Sequence, residues 1–399
     1  MSPRIFLVAG EESGDRLGAA LIAAIGRRSP AARFVGVGGT QLAALGVSSL
    51  FPFGDLAIIG FVQIATNLPK IVRRIRETAD AVVAARPDVL VIIDSPEFTH
   101  RVARRVRARA PQIPIVDYVC PSVWAWRSGR ARAMKRYVDH VLALLPFEPK
   151  VMRELGGPPC TYVGHPLIEQ LAELRPNEEE ARRRLADPPR LLVLPGSRGG
   201  EIRRMVGVFG DAVALTAARV GTLEVVVPAV PWLADDVRAA VAAWRIPARV
   251  VVDAGEKHAA YRTARAALVK SGTSTLELAL AGVPMVTAYK VPLFEEAVAR
   301  VLLKVNTVIL ANLVLGDERP VPEFIQRACT AEALATALVP LFADTPKRRR
   351  QLEAFGRLDG IMGIGKGAPS DRAAAVVLDC AGGLNQLARE IVASAPPTA

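Results

Sequence analysis

The chain has 399 residues, 51% hydrophobic and 5% aromatic, a length and apolar content suited to two domains with separate cores rather than one. Its formal net charge is +12, so the partners that fit are anionic: a phosphorylated substrate, acidic lipid headgroups or nucleic acid. Four scattered cysteines, Cys120, Cys160, Cys329 and Cys380, form no CxxC pair, which argues against a structural zinc site and for a reducing compartment.

Strand and helix signals alternate along the first half. Ile5–Ala9 is a short apolar run ending at Gly10, after which Leu17, Leu21 and Ile25 recur every four residues, predicting strand, turn and helix. Phe34–Val37, Val89–Ile93, Ile115–Val119, Val141–Leu145 and Thr161–Val163 are further predicted strands, with helices such as Pro69–Ala85 and Thr99–Ala110 between them. The polar stretch Glu173–Pro189, with three prolines, is the candidate linker. The alternation then restarts with strands at Leu191–Leu194, Val225–Val227, Val250–Val252, Ala267–Val269 and Met285–Ala288. Ala331–Ser394 reads as helices, broken by a glycine-rich stretch at Gly360–Gly367. The expected fold is α/β, with two doubly wound parallel sheets. Neither Ile5–Ala9 nor Leu56–Pro69 is long enough for a signal core or a membrane span, so a cytoplasmic protein is expected.

Open parallel sheets bind ligands beyond the carboxyl ends of their strands, so polar clusters directly after strands are the candidate sites. Gly10–Asp15 (GEESGD) follows the first strand. Its glycines do not fit GxGxxG, and capping by Ser13 or Asp15 is the alternative to anion binding. Asp94 ends a strand buried on both faces and is the candidate general base; a helix N-cap is the alternative. In Leu194–Glu201, Gly196 permits a tight turn, Ser197 offers a hydroxyl and Arg198 can clamp phosphate with two donors. In Lys270–Glu277, Gly272, Thr273 and their neighbours form an amide-and-hydroxyl nest, with Glu277 one turn on, within reach of a ribose diol. No D-x-D triplet occurs, so no metal and no cofactor is called for.

Between Arg101 and Arg136 ten Lys or Arg stand against one acid, Asp117. Few stacking aromatics are interleaved there, which disfavours nucleic acid as the partner. The apolar stretch Leu56–Leu68, with Ile58, Ile59 and Phe61, precedes Lys70, Arg73, Arg74 and Arg76. An apolar wedge followed by basic residues suits docking on anionic lipid, and a core helix with solvated arginines is the alternative.

In this order the clusters resemble the lipid-A-disaccharide synthase family. The matching stretches include GEESGD (10–15), FVGVGG (34–39), IDSPEF (93–98), PSVWAWR (121–127), LPGSRGGEI (194–202), SGTSTLE (271–277) and ANLVLG (311–316). The resemblance implies a GT-B fold, in which two Rossmann-like domains face an interdomain cleft. The expected boundaries are 1–172, 188–345 and a C-terminal helical segment 346–399 that packs back on the first domain.

The implied reaction is inverting transfer of 2,3-diacylglucosamine from its UDP derivative to the 6-hydroxyl of 2,3-diacylglucosamine 1-phosphate (lipid X). The resemblance also implies Asp94 as base, and Ser13, Ser197, Arg198, Gly272, Thr273, Glu277 and Asn312 on the donor. Ile58, Ile59, Phe61, Trp126 and Arg127 fall on the acceptor or membrane side. Both substrates carry acyl chains, so peripheral association with the inner face of the inner membrane is expected, as a monomer or homodimer. Another UDP-sugar enzyme of this fold, such as a UDP-N-acetylglucosamine 2-epimerase, is the competing reading. The stretch 304–307 and Ala311 depart from the family pattern.

Overall fold

Period-two alternation of branched apolar residues builds both sheets. Along Ile5–Ala9, Phe6 and Val8 enter one apolar cluster while Ile5, Leu7 and Ala9 enter the cluster on the opposite face, so the strand is buried on both sides. The structure, a computed structural model, describes residues 2–56, 61–292, 296 and 305–382, with the backbone alone over 61–67.

The first sheet comprises β1 (Arg4–Ala9), β2 (Arg33–Val37), β3 (Val89–Ile93), β4 (Ile115–Tyr118), β5 (His140–Ala143) and β6 (Cys160–Tyr162). The second comprises β7 (Arg190–Leu194), β8 (Glu224–Pro228), β9 (Ala248–Val251), β10 (Ala266–Lys270), β11 (Met285–Tyr289) and β12 (Glu323–Ile325). Their orders are β2-β1-β3-β4-β5-β6 and β12-β11-β10-β7-β8-β9, with parallel pairing throughout. Each predicted strand is present. The three-residue β12 was missed, because its residues Glu323, Phe324 and Ile325 carry no apolar run.

Two compact units result, Met1–Ile168 with Gly365–Ala399, and Glu169–Ile364. The expected 346–399 segment is therefore divided. The helices Pro346–Gly356 and Leu358–Met362 lie in the second unit, whereas Pro369–Gly382 lies in the first. There Ala373, Ala374 and Val377 join Leu21 and Ile25 in one apolar cluster, and Arg27 pairs with Asp371 at 2.8 Å.

The expected linker also differs. Within it the helix Glu178–Leu185 begins at a reciprocal capping box: Asn177 accepts from the Glu180 amide (2.9 Å) and Glu180 accepts from the Asn177 amide (3.0 Å). Arg184 then donates to the carbonyl oxygens of Tyr261, Arg262, Ala281 and Gly282, so this segment is docked on the second unit. The helix expected from Pro69 runs Phe61–Ala85 and carries Pro69 in its interior.

In the first unit Glu148 is 3% exposed and accepts from the Trp124 indole (3.1 Å) and the Leu145 amide (2.9 Å). Burial pushes its carboxyl from 4.5 up to about 7, against the pull of those donors. Between these values the folded chain keeps a proton that the unfolded chain releases, so stability falls as pH rises. Glu148→Gln removes this titration. Its melting temperature relative to the native chain should climb as pH goes from about 5 to about 8, and a pH-independent difference would contradict the assignment.

Candidate functional site

Strand order reverses between β1 and β3 in the first sheet and between β7 and β10 in the second. At such points the loops leaving adjacent strands diverge and leave a crevice. All four sequence clusters leave these four strands: GEESGD follows β1, Asp94 follows β3, Gly196–Arg198 follows β7 and Lys270–Ser274 straddles the end of β10.

In the first unit, Asp94 and Ser95 both take left-handed backbone, at φ 54° and 47°. This conformation is costly for residues other than glycine and is held by the surroundings. The Asp94 amide donates to the Tyr118 carbonyl (3.1 Å), and the Thr99 hydroxyl donates to the Asp94 carbonyl (2.7 Å). The carboxylate accepts from Ser13 Oγ (2.9 Å) and from the Ser95 amide (2.8 Å), yet the residue stays partly exposed. Gly10 makes this turn possible, since a Cβ there would sit 2.3 Å from Ser95 Cβ.

GEESGD therefore divides its work. Asp15 is buried and caps the Thr40–Ala44 helix by accepting from the Gly39, Gln41 and Leu42 amides, whereas Ser13 orients Asp94. Ser13 was expected on the donor diphosphate; its hydroxyl is instead engaged with the carboxylate. Ser13→Ala should lower turnover roughly tenfold with the donor KM unchanged, as loss of one charge-assisted hydrogen bond to Asp94, the expected base, requires. A raised donor KM at unchanged turnover would return Ser13 to the diphosphate.

Behind Asp94 lies a polar line that was not anticipated from the sequence, exposed at Arg104 and buried at Tyr137, His100 and Asp117. Arg104 Nη2 donates to Tyr137 Oη (3.3 Å), Tyr137 Oη is 3.1 Å from His100 Nδ1, and His100 Nε2 is 3.1 Å from Asp117 Oδ2, off the line of a good hydrogen bond. Burial pushes the Asp117 carboxyl up, with His100 pulling against it. Asp117, the one acid counted against the basic cluster, thus faces the core. The arginines take their partners elsewhere: Arg107 on Asp139, Arg109 on Asp80, and Arg101, Arg127 and Arg130 on Glu97.

In the second unit the two turns open on one cavity of about 400 Å³, lined by Gly196, Ser197, Arg198, Glu201, Pro228–Val230, Lys257, Tyr261 and Lys270–Ser274. Gly196 has φ +133°, and a Cβ there would lie 2.7 Å from Glu201 Oε2. The glycine thus lets the buried Glu201 tuck under the turn, where it accepts from the Ser197 amide (3.1 Å) and pairs with Lys270 Nζ (3.0 Å) and, more loosely, Arg198 Nη1 (3.7 Å). Burial raises the Glu201 carboxyl, but the hydrogen bond and charge of Lys270 outweigh it and hold the pKa below the ordinary value. Arg198 is left 78% exposed at the rim.

At the far wall Tyr261 Oη donates to Glu277 Oε2 (3.1 Å), which Lys257 Nζ approaches to 3.3 Å. Gly272 and Thr273 line the cavity, with Thr273 exposed. Lys270, Glu201, Lys257 and Tyr261 were not singled out from sequence. Lys270 and Glu201 stand at the edges of quoted motifs, and only the strand register reveals that they meet.

Asn312 departs from its expected place on the donor. It is 2% exposed, and its side chain is closed on the Val321 backbone, donating to the carbonyl (2.9 Å) and accepting from the amide (3.1 Å). Ile58 and Ile59 lie outside the described residues, as does the side chain of Phe61. Of the four basic residues that follow, Lys70 and Arg74 pair with Asp55 (both 2.6 Å), leaving Arg73 and Arg76 exposed. Trp126 is half-buried, with the Arg127 guanidinium 4.3 Å from its ring centroid. Among the described residues, no helix is long and apolar enough to cross a membrane, and no three His, Cys, Asp or Glu side chains are grouped to hold a metal ion.

Comparison with solved structures gives the fold. A UDP-GlcNAc 2-epimerase from Neisseria meningitidis, bound to UDP-GlcNAc, matches with a TM-score of 0.61 at 13% identity, covering 94% of this chain and 100% of that one. A MurG from Acinetobacter baumannii matches at 0.56 and 13%, over 94% and 99%. The calicheamicin glycosyltransferase CalG4 matches at 0.58 and 18%, over 96% and 99%. Sequence relatives are far nearer. A lipid-A-disaccharide synthase of Nitrobacter hamburgensis is 60% identical over 379 residues, 95% of this chain and 96% of the relative. One from Bradyrhizobium diazoefficiens is 57% identical over 376 residues, 94% and 96%. The family model for lipid-A-disaccharide synthetase matches residues 5–358. The chain therefore belongs to the lipid-A-disaccharide synthetase family and is a glycosyltransferase of lipid A biosynthesis.

Proposed function

We propose that the enzyme transfers 2,3-diacylglucosamine from its UDP derivative to the 6-hydroxyl of 2,3-diacylglucosamine 1-phosphate, with inversion at the anomeric carbon. The acceptor oxygen attacks C1, its proton passes to an Asp94 carboxylate oxygen, and the bond from C1 to the diphosphate oxygen breaks with its electron pair leaving on UDP. The observation that carries this reading is the state of Asp94: a carboxylate fixed by Ser13 and the Ser95 amide at a strand-order reversal, and still partly exposed. A base must be aimed and accessible at once.

The cavity of the second unit supplies what the departing UDP needs. Arg198 and Lys270 meet the diphosphate, with Glu201 holding Lys270 in place, and the amides of both turns add fixed dipoles. Glu277, already paired with Lys257 and Tyr261, accepts from the ribose diol. Asn312 serves by clasping Val321 and so positioning its helix rather than by touching the donor. Acylated substrates place the enzyme at the cytoplasmic face of the inner membrane, with the apolar stretch around Ile58, Ile59 and Phe61 on the lipid side. The test is UDP release from the diacylated donor, with and without acceptor. Release that requires both supports transfer, whereas release from UDP-N-acetylglucosamine alone would favour an epimerase-type elimination.

A further inference from the structure

Glu97 stands in the first turn of the Pro96–Arg109 helix, three residues after Asp94, and three arginines converge on its carboxylate. Arg130 Nη2 lies 2.7 Å from Glu97 Oε1, Arg127 Nη1 3.4 Å from the same oxygen, and Arg101 Nη2 3.4 Å from Oε2. Two of these guanidinium groups also sit over the Trp126 ring, Arg127 at 4.3 Å and Arg130 at 6.0 Å from its centroid. Arg130 is only 18% exposed and so is held, whereas Arg127, 55% exposed, is steadied by the Trp126 face. Burial raises the Glu97 carboxyl, and the arginines, Arg130 foremost, bring it below its ordinary value. One carboxylate against three guanidinium groups leaves two positive charges uncompensated on a partly exposed surface beside the proposed base.

A phosphate monoester carries between one and two negative charges near neutral pH and presents three acceptor oxygens, which is what this cluster lacks. Arginine matches it with paired donors, and a Trp face beneath keeps the guanidinium plane fixed. We infer that Arg127 and Arg130, steadied by Trp126 and Glu97, form the subsite that recognises the phosphate of the acceptor and so selects a sugar 1-phosphate over the same sugar without phosphate. The inference rests on the proposed transfer reaction and assigns specificity, not chemistry, to these residues.

The experiment compares kcat/KM for the phosphorylated acceptor and for its dephosphorylated counterpart, in the full-length native enzyme and in Arg127→Ala and Arg127→Ala/Arg130→Ala. The native enzyme should prefer the phosphorylated acceptor. The double variant should lose about 100-fold in kcat/KM on that acceptor, chiefly through KM. It should change less than about threefold on the dephosphorylated one, with UDP affinity unaltered. Arg127→Ala, which removes an exposed side chain, should show a smaller loss of the same kind, and Arg127→Ala/Arg130→Lys should lose less than Arg127→Ala/Arg130→Ala. An equal fall on both acceptors, or no fall on either, would overturn the subsite. Failure of the native enzyme to glycosylate either acceptor would instead reject the transfer reaction itself.

Discussion

Asp94→Asn should reduce turnover by about 100-fold or more while UDP-sugar binding stays close to native. The substitution keeps the shape of the side chain but leaves one oxygen for the two donors, Ser13 Oγ at 2.9 Å and the Ser95 amide at 2.8 Å, and removes the basic lone pair. The Ser95 amide can only donate, so the new side chain will turn its oxygen there and its NH2 toward Ser13, whose hydroxyl can accept instead. Such an amide donates where the reaction needs an acceptor. Because the residues proposed to hold the donor belong to the other unit, a calorimetric titration with UDP should give a native affinity. Turnover near normal would remove Asp94 from the role, and lost UDP affinity would show that the substitution acts through folding.

Lys270→Met is expected to lower turnover by about 100- to 1,000-fold, because a cation facing the leaving diphosphate matters most as the bond to C1 breaks and charge builds on it. UDP affinity should fall less, by roughly tenfold. The substitution also takes from Glu201, a carboxylate 4% exposed, its nearer cation, Lys270 at 3.0 Å, leaving the looser Arg198 at 3.7 Å. Breaking a buried pair costs at most roughly 3–5 kcal/mol, so Lys270→Met alone should melt early. Lys270→Met/Glu201→Gln separates the two effects. Removing both charges should restore most of the stability and none of the turnover. Recovery of activity in the double variant would mean that Lys270 serves only to neutralise Glu201.

Most of this architecture is readable without coordinates because buried parallel strands announce themselves. Val89–Ile93 is five branched apolar residues in a row, and each such run became a strand. The candidate sites were legible for the related reason that a strand followed by glycine, hydroxyl and charge has few purely structural uses. Pairing between distant positions was not legible. Ser13 lies beside Asp94 only because β1 and β3 are neighbours in register, with Ala9 opposite Ile93. Likewise Lys270 meets Glu201 because β7 and β10 are adjacent, with Leu194 opposite Val269.

The contact of Asn312 was not legible for a different reason: an asparagine in a matching motif is equally suited to hold a ligand or a backbone segment, and here it is buried on Val321. The supposed linker carried a readable signal that its three prolines masked. Asn177 followed three residues later by Glu180 is a helix start, and the Arg184 beyond it finds four carbonyl partners.

The most direct test of the central claim is the structure of the product. Native enzyme incubated with the UDP-activated diacylglucosamine and its 1-phosphate acceptor should yield one UDP per disaccharide, and the anomeric proton coupling should report a β linkage to O6. An α-linked disaccharide, or free diacylglucosamine released by water with the acceptor untouched, would contradict in-line attack assisted by Asp94.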